Sequence, residues 1–328
     1  MSNSARLTLD CRHTISSMRM QGATQAEIGL AVGCDQSTVS RELTRLGSTT
    51  GYDPQAAQKD ADAKTKTHAR QSVLDKCSAL VRHLINYMRN DYSIWQALEL
   101  IRKKYPDLPT ISAQGVYDWL YTGSGKTKKL MRKLMQRPRS RRKPRAKTPT
   151  GQGKIPNMTP IAERLFEPAD RSVFGHWEGD LVLGRNSRSA VITLVERKTR
   201  YTLVIKVSSR KTKDVIEALV NRIKRSGVVV RSITWDQGKE MSEHGRLSKL
   251  LGVPIYFADA HSPWQRGTNE NTNGVVRRKL PKGTNLNLSV AKIRNIQKWL
   301  NSRPMRVLSK MSPEEAYATE REIYALAT

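Results

Sequence analysis

The chain has 328 residues, and its 58 Lys and Arg face only 29 Asp and Glu, a formal charge of +29. Such a surplus points to a polyanionic partner, because basic side chains that neutralise phosphates release condensed counterions; nucleic acid comes first and an anionic membrane surface second. No apolar run approaches the roughly 18–20 residues of a membrane span, MSNSARLTLD lacks the apolar stretch of a secretory signal, and three cysteines with no CxxC pair argue against a disulfide framework or zinc knuckle.

In chain order, the first predicted helix covers Arg12–Met20. Thr24–Val32 follows with Ile28, Ala31 and Val32 on one face. Gly33 suits the left-handed residue that ends a helix, and Asp35 or Ser37 can cap the next one, which turns Val39 and Leu43 inward. Gly29 would let the two helices approach closely. This is a helix-turn-helix pattern. The second helix of such a unit enters the major groove by its N-terminal half, so Gln36, Ser37, Thr38, Ser40 and Arg41 are candidates for DNA contact. The same pattern also suits a plain helical bundle with a polar surface.

A second unit of this kind is predicted further on. Trp95–Lys103 is amphipathic and Pro106–Thr110 breaks it. Ser112 can cap a helix through Tyr121 with Val116, Trp119 and Leu120 apolar. As a DNA reader it would present Ala113, Gln114 and Asp118; the alternative is a small helical spacer.

Charge is unevenly spread. Residues 1–125 hold 15 basic and 12 acidic groups, whereas residues 126–147 hold 12 basic groups and no acid. That stretch opens as a basic helix with Leu130, Met131, Leu134 and Met135 on one side, then becomes proline-broken and self-repelling from Arg137. A basic linker is therefore expected over 126–165, between a helical half (1–50 and 51–125) and a domain spanning 166–328.

From Ser172 the period changes to that of strands. VFGHWEGDLVLG, SAVITLVERKT and YTLVIKVS, joined by short turns, read as an antiparallel meander. A helix over Thr212–Lys224, a buried strand in VVVRSITWD, a helix over 241–251, a short strand in VPIYFAD and helices over Thr268–Leu280 and Val290–Asn301 follow. This is the element order of a ribonuclease-H-like, mixed-sheet α/β domain, in which the fourth strand lies beside the first. Three carboxylates then fall at telling places: Asp180 in the first strand, Asp236 at the end of the fourth, and Glu270 at the start of a late helix. Gathered, they would repel one another unless cations sat among them, and hard oxygen ligands suit Mg²⁺. Two ions about 4 Å apart would serve an in-line phosphoryl transfer. Glu178 shares a strand face with Asp180 and is a rival, and an isolated Asp or Glu at these positions also serves as a turn or cap residue. Arg277, Arg278 and Lys282 stand among ten basic residues and no acid between Asn271 and Lys310, a fit to a phosphate backbone. Trp264 is a candidate for stacking on an unpaired base or for packing its loop. His176 and His261 are read as structural.

The runs GHWEGD (Gly175–Asp180), TWDQGKE (Thr234–Glu240) and ADAHSPWQRGTNENTNGVVRRKLPKGTNL (Ala258–Leu286), with TQAEIGLAVGCDQSTVSREL and ISAQGVYDWLY before them, resemble the DDE transposases of the bacterial insertion-sequence-30 family. The resemblance implies an integrase-type catalytic core with Asp180, Asp236 and Glu270 as a metal-binding triad for Mg²⁺ or Mn²⁺. It implies cleavage at terminal inverted repeats and transfer of 3′-OH ends into target DNA, by a cytoplasmic multimer that associates with the nucleoid when DNA-bound. Arg277 matches the position of a phosphate contact. Gln237, Met241, Ala260-His261 and Ser93-Ile94-Trp95 depart from the family's usual residues. Two other readings are a non-catalytic helix-turn-helix repressor over a vestigial core and a structure-selective nuclease without strand transfer.

Overall fold

The computed structural model describes residues 7–45, 51–68, 71–122, 125–135, 155–164, 171–185, 189–259 and 267–327. The chain divides into two compact units, Met1–Lys76 and Cys77–Thr328.

The first unit is helical: α1 (Leu9–Met20), α2 (Gln25–Val32), α3 (Gln36–Arg45), α4 (Pro54–His68) and the single turn α5 (Val73–Lys76). Its centre is Ile15, Ile28 and Val39, one residue from each of the first three helices and all at most 1% exposed. Thr24 starts α2 with a reciprocal capping box to Glu27, which satisfies two otherwise orphaned donors. Gly33 ends it at φ 73°, a backbone angle that carries no Cβ penalty in glycine. The next helix starts at Gln36, so Asp35 rather than Ser37 precedes it. Gly29 sits where the chain doubles back: a Cβ there would lie 2.7 Å from the Cys34 carbonyl oxygen. A buried ion pair, Arg12 Nε to Glu42 Oε1 at 2.8 Å, ties α1 to α3, and Arg12 also donates to Gln58 of α4. That contact places α4 with the first helices, where the sequence boundary at residue 50 had set it apart.

The second unit begins with α6 (Ser78–Arg89), α7 (Ile94–Lys104), α8 (Ala113–Tyr121) and α9 (Lys126–Met135). Ser93 closes a capping box on α7, and Ser112 caps α8 through the Gly115 N–H. Helix α9 is the basic helix expected at the start of the 126–165 stretch; Met131 is fully buried and α9 packs on α6 and α8. The basic stretch starts as part of this helical module; residues 136–154 lie outside the described ones.

The sheet has six strands: β1 (Thr159–Pro160), β2 (His176–Leu183), β3 (Ala190–Glu196), β4 (Thr202–Lys206), β5 (Ser232–Trp235) and β6 (Ile255–Phe257). Their order is β1-β6-β5-β2-β3-β4. Strands β2, β3 and β4 form the expected antiparallel meander, and β5 pairs parallel with β2 and β6. Around them lie α10 (Thr212–Ser226), α11 (His244–Leu251), α12 (Gly267–Lys279), α13 (Val290–Asn301) and α14 (Pro313–Ala327). One core cluster packs Trp177, Ile233 and Trp235 with Val215, Ile216 and Leu219 of α10. On the other face Val182, Val191 and Val204 meet Val276 of α12 and Ile293, Ile296 and Leu300 of α13. The outer edge of β4 is bonded to α13: Thr202 N–H donates to Asn301 Oδ1, Val204 N–H donates to Gln297 Oε1, and Asn301 Nδ2 donates back to the Thr202 carbonyl. Strand β5 is shorter than its apolar run predicts. The Val229 carbonyl accepts from Trp177 Nε1 and its N–H donates to the Tyr317 hydroxyl, so side chains take the ladder's place there. Among the described residues no helix is long and apolar enough to cross a membrane.

Candidate active site

Alternation along a strand and the parallel register of β2 and β5 position the first two carboxylates. Glu178 pairs with Thr234, so Asp180 and Asp236 each lie two residues further on, level with one another at neighbouring strands. Gly179 makes the approach possible, because a Cβ there would fall inside the Trp235 ring. Both aspartates are half-buried. Asp180 Oδ1 accepts from the Leu181 N–H, and Oδ2 accepts from Asn273 Nδ2 at 2.5 Å. Asp236 Oδ1 accepts from the Gly238 N–H. Glu270 lies one turn before Asn273 on α12 and is exposed. Among the described residues no three carboxylate, imidazole or thiolate groups come close enough together to hold a metal ion. The three carboxylates are therefore not gathered into one cluster among the described residues, and the Asn273 amide bonds one oxygen of Asp180.

Glu178, the rival ligand, has a different task. It is fully buried and paired with Arg197 at 3.0 Å. Its Oε2 accepts from the Asn269 N–H, also at 3.0 Å, at the third residue of α12, where a helix leaves a donor unsatisfied. Asn269 Nδ2 donates to the Glu178 carbonyl, and the Thr193 hydroxyl reaches Asn269 and Asn273 at 3.1 and 2.7 Å. Glu178 therefore fixes the start of the helix that carries Glu270, a role that sequence spacing does not announce.

The surroundings are strongly cationic. Arg164 donates to Thr234 and lies over the Tyr256 ring; burial, with help from Arg197, pushes it down to about 10. His176 bonds Ser232 through Nδ1, and burial followed by Arg197, Arg231 and Arg164 pushes it down to about 4. It is a neutral, structural imidazole, as expected. Burial raises the Glu196 carboxyl, although Thr199 and Gly175 bond to it.

The basic candidates separate. Arg277 donates to the Leu183 carbonyl at 2.9 Å and so joins α12 to β2. Burial lowers its pKa and Asp180 opposes that shift. Arg278 reaches the Asp91 carbonyl, while Lys282 is exposed beyond the helix. Gln114 bonds Asp118 along the exposed face of α8. In the first unit Gln36, Ser37 and Arg41 are exposed and Thr38 and Ser40 half-buried; Gln36 also donates to Gln25. Trp264 and His261 lie outside the described residues.

Two family models match parts of the chain. Residues 4–46 match the model of a helix-turn-helix domain, and residues 170–263 match the integrase core domain. The transposase of insertion sequence element IS1086 from Cupriavidus metallidurans is 33% identical over 293 residues, covering 88% of this chain and 86% of the relative. Transposase InsI of element IS30A from Escherichia coli K12 is 33% identical over 319 residues, covering 95% and 83%. The catalytic core of BIV integrase aligns with a TM-score of 0.37 at 16% identity, over 46% of this chain and 98% of that one. A helix-turn-helix domain ahead of a ribonuclease-H-like integrase core defines a transposase, of the polynucleotidyl-transferase class of enzymes. The chain belongs to the insertion-sequence-30 family.

Proposed function

We propose that this transposase cuts DNA at the terminal inverted repeats of its own element and joins the freed 3′-OH ends to target DNA, with Asp180, Asp236 and Glu270 holding two divalent cations, Mg²⁺ or Mn²⁺. The observation that carries this reading is the parallel pairing of Glu178 with Thr234, two residues before Asp180 on β2 and two before Asp236 just past the end of β5, with α12 tied to Asp180 through Asn273. The donor set suits the cations: three hard carboxylates with open coordination for phosphate and water. When bound, such cations supply charge neutralisation to the phosphoryl oxygens and to the attacking and leaving oxygens.

The chain's own residues do the rest. Asn273 orients Asp180. Glu178 and Arg197 hold the N-terminal turn of α12, the turn that carries Glu270. The first unit supplies sequence recognition through Gln36, Ser37, Thr38, Ser40 and Arg41, and α8 adds Gln114. Arg278, Lys282 and the basic stretch after α9 bind the backbone in a salt-dependent way. Arg277, whose two terminal nitrogens bond the Leu280 and Leu183 carbonyls, would have to give up one of these bonds to take a phosphate. The enzyme works as a multimer on DNA in the cytoplasm, associating with the nucleoid when bound. A repressor would use the helix-turn-helix alone and leave the integrase core without a task.

The deciding experiment incubates purified protein and Mg²⁺ with a plasmid carrying the element's own ends, then sequences the junctions. Joined ends at the repeats are expected. Nicked or cut DNA without joining would reduce the reading to a nuclease, and bound but intact DNA would leave only the repressor.

A further inference from the structure

Helix α9 breaks the rules that ordinarily stabilise a surface helix. Five of its ten residues, Lys126, Lys128, Lys129, Arg132 and Lys133, are basic and none is acidic. Lys128 and Arg132, like Lys129 and Lys133, are equal charges one turn apart, an unfavourable spacing, and the lysines of the first turn oppose the helix dipole. The second unit holds this helix from its other side. Met131 is fully buried, α9 packs on α6 and α8, and Lys128 donates to the Thr122 carbonyl at 2.7 Å while lying over the Trp119 ring. The charged side is thereby fixed in place. Lys126, Lys129 and Lys133 are exposed and share one helix face through spacings of three and four, with Arg132 half-buried beside them. Among the described residues none of these four forms an ion pair.

We propose that this ridge is a docking surface for the phosphate backbone of duplex DNA beside the element's end, held at a fixed place on the catalytic unit. A local arrangement that weakens its own helix and gains nothing inside the chain marks a partner outside it. Charge complementarity selects that partner: a regular row of phosphates removes the repulsion among the lysines and releases its own counterions in doing so. The length also fits. From Lys126 to Lys133 the helix rises about 10.5 Å, and laid along a duplex it covers about three phosphates of one strand. A flexible basic tether would follow DNA in any direction. Anchored through Met131, α9 instead sets where the duplex crosses the unit, beside α8. The inference rests on the DNA-end reading above and adds a surface that neither the first unit nor the proposed triad provides.

The test uses the full chain and two fluorescent duplexes of equal length, one carrying the element's own terminal repeat and one of random sequence. Affinity is read by anisotropy between about 50 and 200 mM salt. The triple variant K126Q, K129Q, K133Q should lower the slope of log affinity against log salt by about 2.7 on both duplexes, so that the wild type loses about 40-fold more affinity than the variant across that range. Preference for the repeat should stay the same, and removing like charges from an exposed face should not lower the melting temperature, which is checked on the same samples. The control, K213Q, K224Q, K249Q, takes equal charge from exposed positions on α10 and α11, which pack on the face of the sheet opposite α12; it should change the slope by less than about 1. An unchanged slope in the ridge variant, or an equal fall in the control, overturns the proposal. So does a ridge variant that changes only its elution in gel filtration, since the lysines would then bind another copy of the chain. A wild type that shows the full slope difference and never cuts its ends would refute the cutting reading and leave the ridge in place; ends cut and joined by a wild type whose ridge variant keeps the full slope would do the reverse.

Discussion

Removing Glu178 should cost the second unit more stability than removing any carboxylate of the proposed triad. The side chain is 0% exposed and its partner Arg197 is 7% exposed. Glu178→Ala leaves a buried guanidinium without its counter-charge, a loss of about 3–5 kcal/mol. It also strips the acceptor from the Asn269 N–H at the start of α12, worth about 1 kcal/mol. For a unit of this size each kcal/mol lowers the midpoint by about 2–4 °C, so a fall of about 8–24 °C is expected. Glu178→Gln keeps an oxygen for Asn269 and should fall less, and adding Arg197→Met to it should restore part of the loss, because the unpaired charge is then gone. Differential scanning calorimetry reads the midpoints, and Mg²⁺-dependent cleavage of end DNA is assayed well below each of them. A Glu178→Ala protein that melts within about 2 °C of the wild type and yet cannot cut would refute the argument and make Glu178 part of the chemistry.

Asp180→Ala, Asp236→Ala and Glu270→Ala should each abolish cleavage while filter binding to the terminal repeat stays within about threefold, since affinity comes from phosphate contacts made elsewhere; normal strand transfer by any one of them would remove it from the triad. Gly29→Ala should destabilise the first unit by about 1–3 kcal/mol, seen by circular dichroism, because the new methyl meets the Cys34 carbonyl. His176 should confer acid sensitivity. Its folded pKa lies near 4, below its ordinary 6.5, so the unfolded state takes up a proton first as pH falls. Stability should drop by up to about 3 kcal/mol between pH 6.5 and 4 and flatten below that. Urea melts of His176→Gln should lose this step, and an unchanged profile would mean that His176 is not buried as described.

Much of the architecture was legible in the sequence, and the reason is local. Helix α13 has the predicted bounds because Ser289 caps it through the Lys292 N–H and a regular stripe of Ile293, Ile296 and Leu300 faces the sheet. The meander of β2, β3 and β4 follows from β-branched runs and short turns. What was missed depends on partners distant in the chain. The apolar Val228–Val230 read as strand, yet Trp177 and Tyr317 bond the backbone of Val229. Helix α9 was legible as a basic helix with Met131 on its apolar side, but its packing on α6 and α8 was not, because that depends on partners elsewhere in the chain. Helix α14 drew no expectation, since Ala316 and Tyr317 give it only a short buried stripe. In the site, motif and register placed Asp180 and Asp236, whereas the use of Glu178 as a helix anchor depends on Asn269, and spacing carries no sign of that pairing.

The amides that α13 lays along β4 have a consequence for assembly. An outer strand with free N–H and C=O groups invites another chain to add a strand of its own. Here Asn301 and Gln297 already engage Thr202 and Val204, and at the opposite border β1 contributes two residues, one of them Pro160, which has no N–H to offer. A sheet closed on both sides in this way resists edge-to-edge polymerisation. Two copies that associated would have to meet through helices and loops, which would leave the central strands free of the distortion that an intermolecular sheet would impose on them.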